Sequence, residues 1–147
     1  MRRRHLLAVV AGAVVAGACL PAAALARPVG APLAPAELRA AIVGHTLYDN
    51  GRRFGIRWHW AGYYRADGRA FARAWWGFGE ITATGWWRID DGRWCQFWED
   101  VDWSRGGRNC YRVHRTADGL RWRHVAGPHA EDHRFERRRG DAFGLAP

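Results

Sequence analysis

Four dipeptides, Asn50-Gly51, Asp67-Gly68, Asp91-Gly92 and Asp118-Gly119, punctuate this chain, each with strand-like residues close by. Asn-Gly and Asp-Gly accept the positive backbone dihedrals of tight hairpin turns at little steric cost, so each marks a place where a strand reverses onto its neighbour. The flanks agree. "WAGYYR" and "AFARAWW" surround Asp67-Gly68, "GWWRI" and "WCQFW" surround Asp91-Gly92, and "CYRVHR" and "LRWRHV" surround Asp118-Gly119. Strand, turn and strand in succession make a meander, and about seven strands with short connections fit in roughly 100 residues. The expected fold class is all-β, a small antiparallel up-and-down barrel, closed or nearly so, with a small sandwich as the other architecture. Closure is favoured because it removes exposed strand edges.

Side-chain alternation supports this locally. In "FGIRWHW", Phe54, Ile56, Trp58 and Trp60 share one face and Gly55, Arg57 and His59 the other, the period of two of a half-buried strand. In "GWWRID", Trp87 and Ile89 point one way and Trp86 and Arg88 the other, whereas the odd and even positions around Phe71 to Trp75 do not separate cleanly. A domain this small has few residues with which to build a core, and large aromatics offset the shortage. The chain has ten tryptophans. Some of them are left for an outer face or a second cluster, and Trp86 beside Arg88 is one.

Helix is sparse. "APAELRAAIVG" combines Pro35 and Glu37 with the apolar spacing of Leu38, Ala41 and Ile42 and ends at Gly44, which suits one short helix plugging a barrel end or packing on a sheet. The barrel domain is expected over 36–127. Before it, 27–35 is a proline-rich linker with no reason to be ordered. After it, 128–147 is a charged tail, expected to be partly disordered beyond one more strand or turn.

The chain begins with Arg2, Arg3 and Arg4, an apolar run from Leu6 to Leu20, and small residues ending Ala24-Leu25-Ala26. These are the parts of a secretory signal over 1–26, cleaved after Ala26. The run is shorter than the roughly 20 residues of a spanning helix. A periplasmic or secreted location follows. The less favoured alternative is a lipoprotein, since "AGAC" ending at Cys19 resembles a lipidation box but has Ala16 where leucine is usual. Loss of Arg2, Arg3 and Arg4 lowers the formal charge of +9 by three, and every basic residue is arginine. A basic surface attracts nucleic acid, anionic glycans or lipid headgroups, and export disfavours nucleic acid.

With Cys19 gone, Cys95 and Cys110 form an even pair in an oxidising compartment. If "RWCQFW" and "RNCYRVH" are antiparallel neighbours, the two cysteines fall opposite or nearly so, and a disulfide there contributes about 3 kcal/mol. A pair of metal-binding thiolates is the alternative, unsupported by a second cysteine pair or a nearby histidine spacing.

Catalytic chemistry is bounded by what is missing. Ser104 is the only serine and there is no lysine, so nucleophilic mechanisms based on these residues or on the cysteines are nearly excluded. No glycine-rich phosphate loop is present. Glu99, Asp100 and Asp102 lack the spacing of a calcium loop. His129 and His133 would be zinc ligands only on a helix, which Gly127-Pro128 argues against. His59, His114 and His124 suit outer faces or strand ends. No catalytic residue, metal or cofactor is assigned.

The pattern Gly85-x-Trp87-x-Ile89-x-Asp91-Gly92-x-x-Cys95-x-x-Trp98, followed by Cys110-Tyr111-x-Val113, resembles a signature of small secreted bacterial proteins of unknown function. "LRAAIVGHTLY" is similar to their opening helix and Gly-x-Thr strand. The resemblance covers about residues 36–125 and implies a signal peptide, a lipocalin-like β-fold and one disulfide between Cys95 and Cys110. It implies no catalytic residues. Trp86, Trp94 and Trp103 go beyond it.

Three functional readings follow. The first is a non-enzymatic binding module of the envelope, holding an apolar, glycan or anionic ligand among Trp58, Trp60, Trp75 and Trp87, with Trp86 and Arg88 as further candidates. The second is a periplasmic protein-interaction or inhibitor domain using surface tryptophans and arginines. The third is an acid–base enzyme using Asp, Glu and His.

Overall fold

The computed structural model describes residues 30–99 and 101–147, so the expected signal segment, Cys19 and Asp100 lie outside the described residues. A helix α1 (Pro35–Ile42) leads into eight strands: β1 (His45–Arg53), β2 (Ile56–Tyr64), β3 (Arg69–Trp76), β4 (Gly79–Asp90), β5 (Arg93–Trp98), β6 (Asn109–Arg115), β7 (Gly119–Ala126) and β8 (His133–Arg139). Each strand pairs antiparallel with the next, and β8 returns to β1 to close an up-and-down barrel. The all-β barrel expected from the turns is present, with eight strands where about seven were counted. The additional strand, β8, comes from the charged segment 128–147. Its Phe135 faces the core opposite Leu120, while the neighbouring Arg134 and Glu136 are exposed.

Three of the four marked dipeptides lie at hairpin turns, and at Asp91-Gly92 both residues have positive φ (49° and 68°). Asn50-Gly51 does not. It lies inside β1, and the chain reverses instead at Phe54-Gly55, again with both φ values positive (49° and 79°). Reversal at Asn50 would leave Trp58 and Trp60 beyond the reach of β1. The later turn lets β1 pair with β2 from Thr46↔Tyr63 to Arg53↔Ile56. Phe54 therefore does not share the inward face of Ile56, Trp58 and Trp60.

Inward faces explain the sequence that alternation left unresolved. On β3 the inward residues are Ala70, Ala72 and Ala74, all buried, opposite Tyr64, Gly62 and Trp60 of β2. Small residues on this wall leave room for the rings that fill the barrel from the others. Tyr64, Trp87, Trp94, Tyr111, Trp122 and Phe135 form the core with Leu47, Val113 and Leu120.

One end of the barrel is sealed. Helix α1 begins at Pro35, and the Glu37 carboxylate accepts the Ala34 N–H (2.7 Å), leaving Leu38, Ala41 and Ile42 buried in the core. Part of the expected loose linker is fixed as well. Leu33 is buried and donates its N–H to the Val113 carbonyl (2.7 Å) because its side chain completes the plug. At the other terminus, Thr46 Oγ1 donates to the Gly140 carbonyl (2.7 Å) and accepts the Ala142 N–H (2.9 Å), which ties the final segment to the outside of β1. Cys95 and Cys110 sit in register across β5 and β6 and are joined by a disulfide.

Candidate ligand-binding mouth

The end opposite α1 is open. A cavity of about 420 Å³ enters the barrel there, lined by Trp58, Trp60, Trp76, Trp98, Trp103 and Phe135, with Asp49, Arg53, Gln96, Arg105, Tyr111, His129, Glu131 and His133 among the polar groups. The strands place most of the rings directly. Trp58 and Trp60 are inward residues of β2, Trp76 is the register partner of Trp58 on β3, and Trp98 ends β5. The rings meet at steep angles. Trp60 and Trp98 are edge to face (6.1 Å, 80°), as are Trp98 and Trp103 (5.8 Å, 79°), while Trp58 and Trp76 lie more nearly parallel (6.4 Å, 30°). Indoles arranged in this way present both faces and edges to the space between them.

Two glycines make room for these indoles. A Cβ on Gly62 would come within 2.3 Å of the Trp60 ring, and one on Gly51 within 2.9 Å of the Trp58 ring. Only hydrogen fits at Gly62 without displacing Trp60.

Two loops complete the mouth, and Asn109 holds both. Its Nδ2 donates to the Ser104 and Gly107 carbonyls (3.3 and 3.4 Å), and its Oδ1 accepts the His129 N–H (2.7 Å). Ser104 lies in a short 3-10 turn (Asp102–Ser104) and accepts the Trp98 N–H at Oγ (2.7 Å), which brings Trp103 against Trp98. The single serine is thus buried and committed to the fold. Gly127 precedes the second loop with φ 107°, and a Cβ there would lie 2.3 Å from the Arg108 carbonyl, so this approach of the two loops requires glycine.

The polar groups of the mouth are partly desolvated. His129 Nε2 lies 3.1 Å from the exposed Glu131 carboxylate, and its ring stacks on His133 (6.0 Å, 12°). Burial, reinforced by the neighbouring His129, pushes His133 down to about 4 and keeps it neutral near neutral pH. Burial also raises Asp49 above the ordinary carboxylate range, against the opposing hydrogen bond from the Asn50 N–H. The Tyr111 phenol is pushed upward by burial and then by Glu131, so its hydroxyl keeps its proton. His129 and His133 stand in a loop and a strand, not on a helix. Among the described residues, no group of three or more His, Cys, Asp or Glu is placed to hold a metal ion.

Of the residues singled out from the sequence, Trp58 and Trp60 line the mouth. Trp87 is at the sealed end, in the core, its Nε1 donating to the Arg65 carbonyl (2.9 Å). Trp75 faces outward against Phe143 of the final segment (5.9 Å). Trp86 stacks on Phe97 across the outer face of β4 and β5 (5.6 Å, 27°), and Arg88 pairs with Asp90 (3.5 Å). The mouth residues that sequence reading passed over include Trp76, Trp98, Trp103 and Asp49. The run of alanines at 70, 72 and 74 is the signal that places Trp76 inward and Trp75 outward. Comparison of the chain with protein-family models, curated proteins and solved structures gave no match.

Proposed function

We propose that this barrel is a non-enzymatic binding module of the cell envelope, holding a small ligand with an apolar or ring-shaped face in its mouth. The supporting observation is the cavity of about 420 Å³ walled by five tryptophans in a barrel whose other end is filled by α1. Pockets of this size, mainly aromatic with a few convergent polar groups, suit ligands that stack while hydrogen bonds fix their orientation. Asp49, Gln96, Tyr111 and His129 supply those polar groups. The envelope setting rests on the sequence of residues 1–26.

The test uses anilinonaphthalene sulfonate, an aromatic anion whose emission is excited by energy transfer from nearby tryptophan. Saturable one-to-one binding to the native protein is expected, weakened about tenfold by Trp58→Ala with Trp103→Ala, since each indole contributes stacking area. Native mass spectrometry of protein purified from its own cells should show a co-purifying small molecule. A native protein that leaves the dye dark and stays bare after incubation with cell-wall and membrane extracts would overturn the reading.

A further inference from the structure

Two hairpin tips on the open rim carry phenylalanines that are almost wholly exposed. Phe54, in the β1–β2 turn, is 91% exposed, and Phe78, in the β3–β4 turn, is 85% exposed. The tips are neighbours, because β2 pairs with β3 and Ile56 at the start of β2 lies against Gly77. Trp76 on β3 (42%) and Ile81 on β4 (44%) flank the second tip and are also partly exposed. Phe54 is also a poor choice for its turn. It holds φ 49° in a two-residue reversal where Asn or Asp avoids the steric cost borne by a bulky side chain. A fold selected only for stability has no use for this ring.

Beside the first tip three arginines gather, with Asp49 the acid of the neighbouring cavity wall. Arg52 and Arg57 are register partners on the outer face beside the first tip, and the Arg53 guanidinium lies 5.6 Å from the Phe54 ring. None of the three makes an ion pair among the described residues, whereas Glu80, the acid of the second hairpin, is held by Arg73 (3.4 Å). Asp102 lies in the loop between β5 and β6, across the barrel from β1 and β2.

We propose that the barrel docks rim first on an anionic lipid surface, with Phe54 and Phe78 at headgroup depth and Arg52, Arg53 and Arg57 against the phosphates. Protruding single rings on convex turns suit a fluid interface, which closes around them. A protein partner would need a pocket matched to each ring. The molecule rests on the bilayer and does not span it. Outer faces carry Arg57 on β2, Arg73 on β3, Arg88 on β4, Arg112 on β6 and Arg134 on β8, which leaves no apolar band of about 25 Å. Among the described residues no helix is long and apolar enough to cross a membrane. Arg53, Trp58 and Trp76 belong to both the rim and the cavity wall, so docking would turn the mouth toward the lipid.

The test is co-sedimentation of the full chain with vesicles of phosphatidylcholine alone or with about 30% phosphatidylglycerol. Residues 1–29 are common to all variants, so differences between variants read the rim. Wild type should bind the anionic vesicles more tightly than the neutral ones, with binding weakened by salt. Arg52→Gln with Arg57→Gln should cost about 25-fold, near fivefold for each charge. Phe54→Asn with Phe78→Ser should cost about tenfold or more. Phe54→Asn alone should melt at or above the wild-type temperature, so its lost binding is not lost folding. Equal binding to both vesicle types, or unchanged binding by the phenylalanine variants, would overturn the proposal. A dimer that dissociates in those variants, without vesicle binding, would assign the rim to a second copy and also overturn it. Dye binding in the cavity is measured separately, so either reading can fail without the other.

Discussion

Trp87 and Trp94 lie face to face in the sealed half of the barrel, with centroids 4.4 Å apart, planes inclined by 11°, and the Arg39 guanidinium of α1 5.2 Å from the Trp87 ring. Trp94 is fully buried and meets Tyr64 edge to face (5.2 Å, 89°), and its Nε1 donates to Gln96 Oε1 (3.4 Å). Trp94→Ala should therefore destabilise the protein by about 3–5 kcal/mol, the cost of a large buried aromatic plus the void it leaves. Trp103→Ala at the mouth should cost less than half as much while weakening dye binding. Urea unfolding of the two variants measures this separation of core from site.

Cys95 and Cys110 close a loop of sequence separation 15. Replacing both with serine should lower stability by about 3 kcal/mol through the freed unfolded chain. Reductant should lower the wild-type unfolding midpoint by a matching amount and leave the double variant unmoved.

His133 gives the fold an acid limit. Its folded-state value of about 4 lies below that of an unfolded histidine, so between about pH 6.5 and 4 the unfolded chain binds the extra proton. The stability it supplies is complete above about pH 6.5 and is lost as pH falls through 4, a decline of up to about 3 kcal/mol. Melting temperature should fall as pH is lowered through this window, and His133→Gln should flatten the dependence.

Asp49 acts in the opposite sense. Burial raises its folded-state value, so its ionised form costs stability as pH rises. Asp49→Asn keeps an acceptor for the Asn50 N–H (2.8 Å) and should raise the melting temperature at pH 7, with the gain disappearing in acid where the carboxyl is protonated. Thermal denaturation at pH 3 and pH 7 checks both halves.

The hairpins at Asp67, Asp91 and Asp118 were legible because turn chemistry and flanking strands agreed. Asn50-Gly51 carried the same signal and was overruled by the longer ladder that reversal at Phe54-Gly55 allows, a gain that local sequence does not display. The mouth was legible in the clean alternation around Trp58 and Trp60. It was obscured at Trp75-Trp76, where alanines mark the inward face less plainly than rings do. Trp103 and His129 could not be read at all, since their positions depend on Asn109 joining two loops from distant parts of the chain. Trp86, the surplus indole of its strand, found its partner in Phe97 on the next strand.

Closure by β8 also dictates an order of events during folding. Until β8 pairs with β1, one long edge of the sheet has no partner, and Thr46 lacks both Gly140 and Ala142. A chain whose β8 has not yet docked would be an open ribbon, offering that edge to any neighbouring strand. The last strand is therefore the latch, and a premature stop that removes only 133–147 should leave an aggregating sheet instead of a shortened barrel.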